Sequence, residues 1–315
     1  LAATLAALAS EEGAAGLGDD DAANEIRCWS LLACACVGAD ACAGGAGGAA
    51  RVAAALSRAL PESFSGSEAG SEAGPGSLSA ADQAAARAAS PVAPPDVCFV
   101  LADGARQPAH AALLAARCPA LTESCPSAPS SSVTAIKLGA GVTRRALRAV
   151  LRWAYSGALD ADVFDSGVWD GDAGLDERRA AVAKLASKCG AHELARCARF
   201  GRPKPGARLR RLTEALLALM TSGTRADVFL TAEGGEIAPP SGLSPARVFP
   251  AHRVVLCARA EYFRAALDPA RGFRESREPS SRAAPFPAAT PEALAAALRA
   301  AYAGAAPRVD ADAEQ

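Results

Sequence analysis

Two spacings of apolar residues alternate along this chain, and the alternation occurs twice. Asp96-Val97-Cys98-Phe99-Val100-Leu101 and Asp227-Val228-Phe229-Leu230-Thr231 are short apolar runs opened by an aspartate, which predicts strands. Each is followed by Pro-Ala-His, at 108–110 and again at 250–252, and then by a short helical stretch ending at Arg117 or Arg259. Further on, Leu147–Gly157 and Leu294–Gly304 carry apolar residues at helical spacing and close on Tyr155 or Tyr302 with a glycine two residues later. The order is strand, turn, Pro-x-His helix, spacer, strand-like segment, then helix to Tyr-x-Gly. Two of the chain's three histidines lie in the repeated phrase, so alanine-rich composition alone does not explain it. A repeat of this kind predicts two related α+β domains in tandem.

The remaining pattern is helical or polar. Leucines 1, 5 and 8, then Ile26, Trp29, Leu32, Cys36 and Val37, and then Ala50–Leu60 predict helices joined by small acidic loops within 1–60. Ser, Gly, Glu and Pro dominate 61–95, which reads as a flexible linker. Asp160–Asp176 and an insertion at Ile237–Arg247 read as surface loops. Arg178–Phe200 predicts two helices broken at Gly190, and the prolines of Gly201–Gly206 stop the second. Leu209, Leu212, Leu216 and Leu219 then mark an amphipathic helix. It is expected to pack on a neighbouring domain, a separate partner site being the other reading. The domain plan is therefore 1–60, linker 61–95, first domain 96–200, linker and helix 201–226, second domain 227–315. The second copy shows no equivalent of the 178–200 helix pair. Either the chain continues or this domain lacks its last helices, and apolar surface left uncovered would invite association.

Composition changes this picture mostly by exclusion. A formal net charge of −1 over 315 residues offers no general basic footprint for nucleic acid. No apolar run approaches the ~20 residues of a membrane helix. Aromatics are only 5%, so cores built on alanine must rely on close helix packing. Ten cysteines include no Cys-x-x-Cys pair, and three dispersed histidines do not complete zinc sites, so reduced thiols and no metal or cofactor are expected. That usage suits the cytoplasm, with the nucleus as a second location. No Gly-x-Ser-x-Gly elbow or phosphate-binding loop accompanies the repeated histidine, so the chain is expected not to be an enzyme. Each histidine follows a proline at a helix start among apolar neighbours, which suits a framework imidazole.

At the repeated residues the chain resembles the BTB/POZ family. Val248-Phe249-Pro250-Ala251-His252-Arg253 through Tyr262-Phe263 follows that family's Phe-Pro-x-His-[Lys/Arg] motif closely, and Tyr302-Ala303-Gly304 its Tyr-x-Gly. The first copy keeps Asp96, His110, Leu113 and Tyr155, but has Ala111 where a basic residue is usual and Ala120-Leu121 where aromatics are usual. The N-terminal Glu25–Ala33 looks like an armadillo repeat helix, with an unrelated helical hairpin as the alternative. Repeats followed by two such domains resemble the adaptor group that includes the inhibitor of Bruton tyrosine kinase. The resemblance implies two BTB/POZ folds, small three-stranded sheets flanked by helices, behind an armadillo-like all-α fragment of a longer array.

The resemblance also implies the site. Asp227 and Arg253 match a partly buried charged pocket at the BTB dimer surface, with His252 as framework. Asp96 and His110 are the counterparts, and Ala111 leaves Asp96 without its arginine. A lone buried aspartate is costly, so Asp96 is expected to be exposed or satisfied differently. After Tyr262 and Phe263 comes Asp268–Ser276, where Phe273 and Glu275 match the hydrophobic-x-Glu element of cullin-3 adaptors, an apolar anchor with a polar companion. Cys125–Ser132 offers no such element in the first copy. The alternative is a surface loop whose Phe273 packs on its own domain. The implied partners are a cullin-3-type scaffold, an unknown substrate protein, and BTB–BTB pairing within or between chains. An oligomerisation scaffold without a ligase is the second reading.

Overall fold

The computed structural model describes residues 46–65, 78–90, 92–123, 125, 132–159, 173–201, 205–232, 248–260, 263, 264, 267, 284–286 and 291–304. The chain divides into two compact units, Ala53–Arg225, and Ala226–Gln315 together with Leu1–Val52.

In the first unit, strands β1 (Phe64–Ser65), β2 (Val97–Val100), β3 (Ala105–Ala109) and β4 (Thr134–Lys137) form one sheet in the order β1-β3-β2-β4. β2 pairs antiparallel with β3 (Cys98 opposite Pro108) and parallel with β4 (Cys98 opposite Ala135). Pro108 lacks an amide hydrogen, yet β1 meets β3 only at Ala105 and Arg106, so no β1 ladder bond is lost there. Helix α1 (Ala46–Ala59), of which this unit contains the part from Ala53, and α2 (Ala80–Ala88) precede β2. Helix α3 (Ala111–Arg117) follows β3, and α4 (Arg144–Ser156), α5 (Ala173–Lys188), α6 (His192–Phe200) and α7 (Pro205–Ser222) follow β4. α4 packs on α3 and α5, α5 on α6, and α7 on α3.

In the second unit, β5 (Val228–Ala232), β6 (Val248–Ala251) and β7 (Ala284–Phe286) give the order β6-β5-β7, with α8 (Arg253–Arg259) and α9 (Pro291–Ala303) packed together. β5 is antiparallel to β6 and parallel to β7, and Phe229 lies opposite Pro250. This is the pairing scheme of β2 with β3 and β4, in the same register about the Pro-Ala-His phrase.

Local chemistry explains these boundaries. α4 starts at Thr143, whose hydroxyl accepts the Ala146 amide at 3.2 Å. It ends at Gly157, with φ of 66°, a left-handed conformation that costs glycine little. Gly304 closes α9 in the same way, with φ of 70°. A Cβ at Gly304 would lie 2.2 Å from the Gly48 carbonyl oxygen, so Ala46–Val52 covers the end of α9 at backbone contact. The cores are small-residue cores: Ala86, Ala109, Ala154 and Ala186 are fully buried, and Phe99, Tyr155 and Tyr302 are the aromatics among the largest fully buried side chains described.

Three expectations need correction. The stretch 61–95 is not simply a linker, because its described part carries β1 and α2. Ser79 caps α2 by accepting the Asp82 amide, and Asp82 is buried against Arg106 of β3. Leu78 joins a core cluster with Cys98 and Val133, and Gln107 donates to the Pro61 carbonyl at 2.8 Å. The first sheet accordingly has four strands, not three. The acidic stretch expected as a loop to Asp176 becomes helical at Ala173. The predicted helices within 1–45, the loop at 160–172 and the insertion at Ile237–Arg247 lie outside the described residues. Among the described residues no helix is long and apolar enough to cross a membrane.

Candidate functional site

Each Pro-x-His phrase builds the same hub. β3 delivers His110 to the mouth of α3, where its backbone N–H donates to the Tyr155 hydroxyl at 2.9 Å. The imidazole Nδ1 lies 2.7 Å from the same hydroxyl, and Nε2 lies 3.0 Å from the Ala93 carbonyl oxygen. A carbonyl only accepts, so Nε2 carries hydrogen, and in the neutral ring Nδ1 accepts from the tyrosine O–H. In the second unit His252 N–H donates to Tyr302 at 2.9 Å, with Nδ1 at 2.7 Å. Both histidines are buried, and burial pushes both tyrosine hydroxyls to higher pKa. A protonated hydroxyl locked between an amide and an imidazole holds a helix start against a helix end. The sequence reading gives His110 and His252 as framework residues.

Asp96 and Asp227 do the same job as each other. Neither histidine caps its helix with its side chain. Instead Asp96 Oδ1 accepts the Ala111 amide and Asp227 Oδ1 accepts the Arg253 amide, each at 2.7 Å. A carboxylate at the first turn of a helix complements its exposed amides. Asp96, half-buried, is thus satisfied by backbone and does not require an arginine at 111. Where the resemblance implies an Asp227–Arg253 charged pocket, the Arg253 guanidinium Nη1 donates to the Leu267 carbonyl at 2.8 Å.

That contact has a counterpart which the sequence does not announce. Cys125 and Leu267 stand equally far along the chain from His110 and His252. With Ala111 unable to reach, Arg225 at the end of α7 donates Nη2 to the Cys125 carbonyl at 3.3 Å and to Thr122 at 2.8 Å. Arg225 does so with φ of 58°, the one left-handed non-glycine among the described residues. A guanidinium therefore fastens the segment after the Pro-x-His helix in both units, from different places in the chain. The partner arginines at the helix ends are also repeated. Arg117 lies 3.8 Å over the Trp153 ring and reaches the Trp153 carbonyl at 3.4 Å, and Arg259 donates to Ala301 at 3.2 Å. Burial lowers the Arg117 pKa to about 10, still charged at neutral pH.

The predicted contact residues divide. Tyr262, Phe273 and Glu275 lie outside the described residues. Phe263 is 3% exposed. Its ring is therefore core, which corrects its assignment to a contact surface. The described residues after α8 are bonded back to it: Arg253 donates to the Leu267 carbonyl, Arg264 through Nε and Nη2 to the Cys257 carbonyl (3.2 and 3.1 Å), and the Cys257 thiol to the Phe263 carbonyl. Among the described residues no group of histidine, cysteine and carboxylate side chains could hold a metal ion. The described cysteines are free thiols, and burial raises the pKa of Cys98 to about 12 and of Cys189 to about 11.

A small mixed sheet with a helix hub at its edge defines an α+β module whose chemistry is structural. Residues 216–315 match the BTB/POZ domain family, and the chain contains one BTB/POZ domain there. Such domains are in general protein-interaction modules, typically non-catalytic, that mediate self-association and often bind cullin-3. Comparison with curated proteins finds no match.

Proposed function

We propose that the chain is a non-catalytic adaptor whose BTB/POZ domain at 216–315 recruits a cullin-3-type scaffold. Phe273 is the apolar anchor and Glu275 its polar companion, with Tyr262 as a further contact residue. The first unit is read as a second BTB/POZ fold, and the N-terminal segment as armadillo-like repeats. These parts hold an unidentified substrate protein for ubiquitination in the cytoplasm or nucleus.

The observation that carries the reading is that Arg253 holds the Leu267 carbonyl, with Arg264 and Cys257 joining the end of α8 to Phe263 and Arg264, upstream in sequence of Asp268–Ser276. An anchor delivered from a fixed base loses less entropy on binding. The tandem reading rests on the shared strand pairing and the shared His–Tyr–Asp hub. That duplication also favours a second reading, an oligomerisation scaffold using BTB–BTB pairing within or between chains.

Gel filtration of the chain with the purified cullin-3 N-terminal domain separates the two. Co-elution that is lost in F273A/E275A supports the adaptor. No co-elution, together with concentration-dependent self-association by light scattering, supports the scaffold.

A further inference from the structure

The first unit contains a groove of about 690 Å³ that the BTB reading does not use. Arg58 from the last turn of α1 and Arg148 and Arg152 from α4 line it, against one carboxylate, Glu62, and the hydroxyls of Ser57 and Ser63. We infer that this groove binds a short acidic peptide segment of a partner protein, the three guanidinium groups pairing with its carboxylates.

Helix α4 is the reason. Arg144, Arg145, Arg148 and Arg152 crowd its surface face, and it has no acidic residue in its first turn. Cations at a helix start oppose the dipole, and like charges at i and i+4 oppose helix formation. Arg148 and Arg152 have that spacing and open into one cavity with Arg58. Arg144 at the helix start pairs with Asp103 at 3.6 Å, and a bound carboxylate would likewise offset the like-charge spacing of Arg148 and Arg152.

The occupant follows from size and lining. The volume falls within the ordinary range of about 300–1,000 Å³ for binding pockets, well beyond a single phosphate. The groove presents three guanidinium groups in a chain of net charge −1, which suits a short acidic segment better than a long nucleic-acid backbone. The inference concerns Ala53–Arg225 and stands apart from the cullin contact.

The test is fluorescence anisotropy of the full chain with a fluorescein-labelled pentapeptide of glutamate and aspartate. Saturable binding that weakens with salt is expected, together with about a tenfold loss in R148E/R152E, the scale of two partly exposed ion pairs. R58A, in an exposed last turn, should weaken binding by several-fold and provides an arm less demanding of the fold. K184E/R196E changes the net charge equally on other helix faces and should bind like the wild type. Absence of saturable binding, equal affinity in R148E/R152E and K184E/R196E, displacement by stoichiometric inorganic phosphate, or tighter binding of a single-stranded oligonucleotide at the same groove would each overturn the inference.

Discussion

Replacing Tyr155 by Phe removes one oxygen and tests whether the histidine hub is framework. The hydroxyl accepts the His110 amide at 2.9 Å and donates to Nδ1 at 2.7 Å, in a site where the tyrosine is fully buried. The substitution leaves two buried polar groups without this partner, and no water replaces it without opening the core. Each orphaned group costs about 1–3 kcal/mol, so the loss is about 2–6 kcal/mol. For a unit of this size each kcal/mol lowers Tm by about 2–4 °C. Trp153 lies two residues away on the same helix, so its fluorescence in a W29F/W169F background reports the unfolding of this unit. Urea titration should show an earlier midpoint with unchanged slope. In a cycle with H110A the two losses should be non-additive, because both remove the hydroxyl–imidazole contact while the backbone amide bond is lost only in Y155F. A loss below about 0.5 kcal/mol, or additive losses, would refute the hub as the element that joins α3 to α4.

Arg225 gives a second test. R225A should cost about 1–3 kcal/mol through lost charge-assisted bonds to Thr122 and Cys125, and R225G about 1 kcal/mol less because its φ of 58° suits glycine; urea denaturation compares them. The two helix-closing glycines should differ: G304A, whose Cβ meets the Gly48 carbonyl at 2.2 Å, should cost more than about 2 kcal/mol, and G157A, with 3.6 Å to the nearest atom, about 1 kcal/mol, as read by thermal melts. Alkaline pH should destabilise the fold. Cys98 titrates near 9.0 when unfolded and about 12 when folded, so the unfolded chain gives up its proton first. Stability is then level below about pH 9 and falls as pH rises through the interval to the folded value. Tm measured from pH 7.5 upward should show this decline, and C98A should make it shallower, the remainder coming from other buried thiols such as Cys189.

Much of the framework is legible in the chain. The aspartate, the Pro-Ala-His phrase and the Tyr-x-Gly ending act through neighbours close in sequence or through a fixed strand register, and such features leave a spacing. The break between α5 and α6 and the buried stripe Leu212, Leu216 and Leu219 are visible for the same reason. α2 is hidden because Ala80–Ala88 has little apolar contrast and its tie to the sheet, Asp82 with Arg106, spans distant positions in the chain. Arg225 is hidden more deeply. Its role depends on a left-handed backbone and on an absence at 111, neither of which has a local signature. Phe263 shows the reverse error, since an aromatic next to a presumed contact motif serves the core.

Calorimetric titration of the cullin-3 N-terminal domain into the intact chain measures the proposed contact directly. Binding is predicted for the wild type and for R225G, with loss of at least tenfold in F273A/E275A while that variant keeps the wild-type melting temperature. Equal affinity in the wild type and F273A/E275A, or no heat of binding to either, would contradict the adaptor reading.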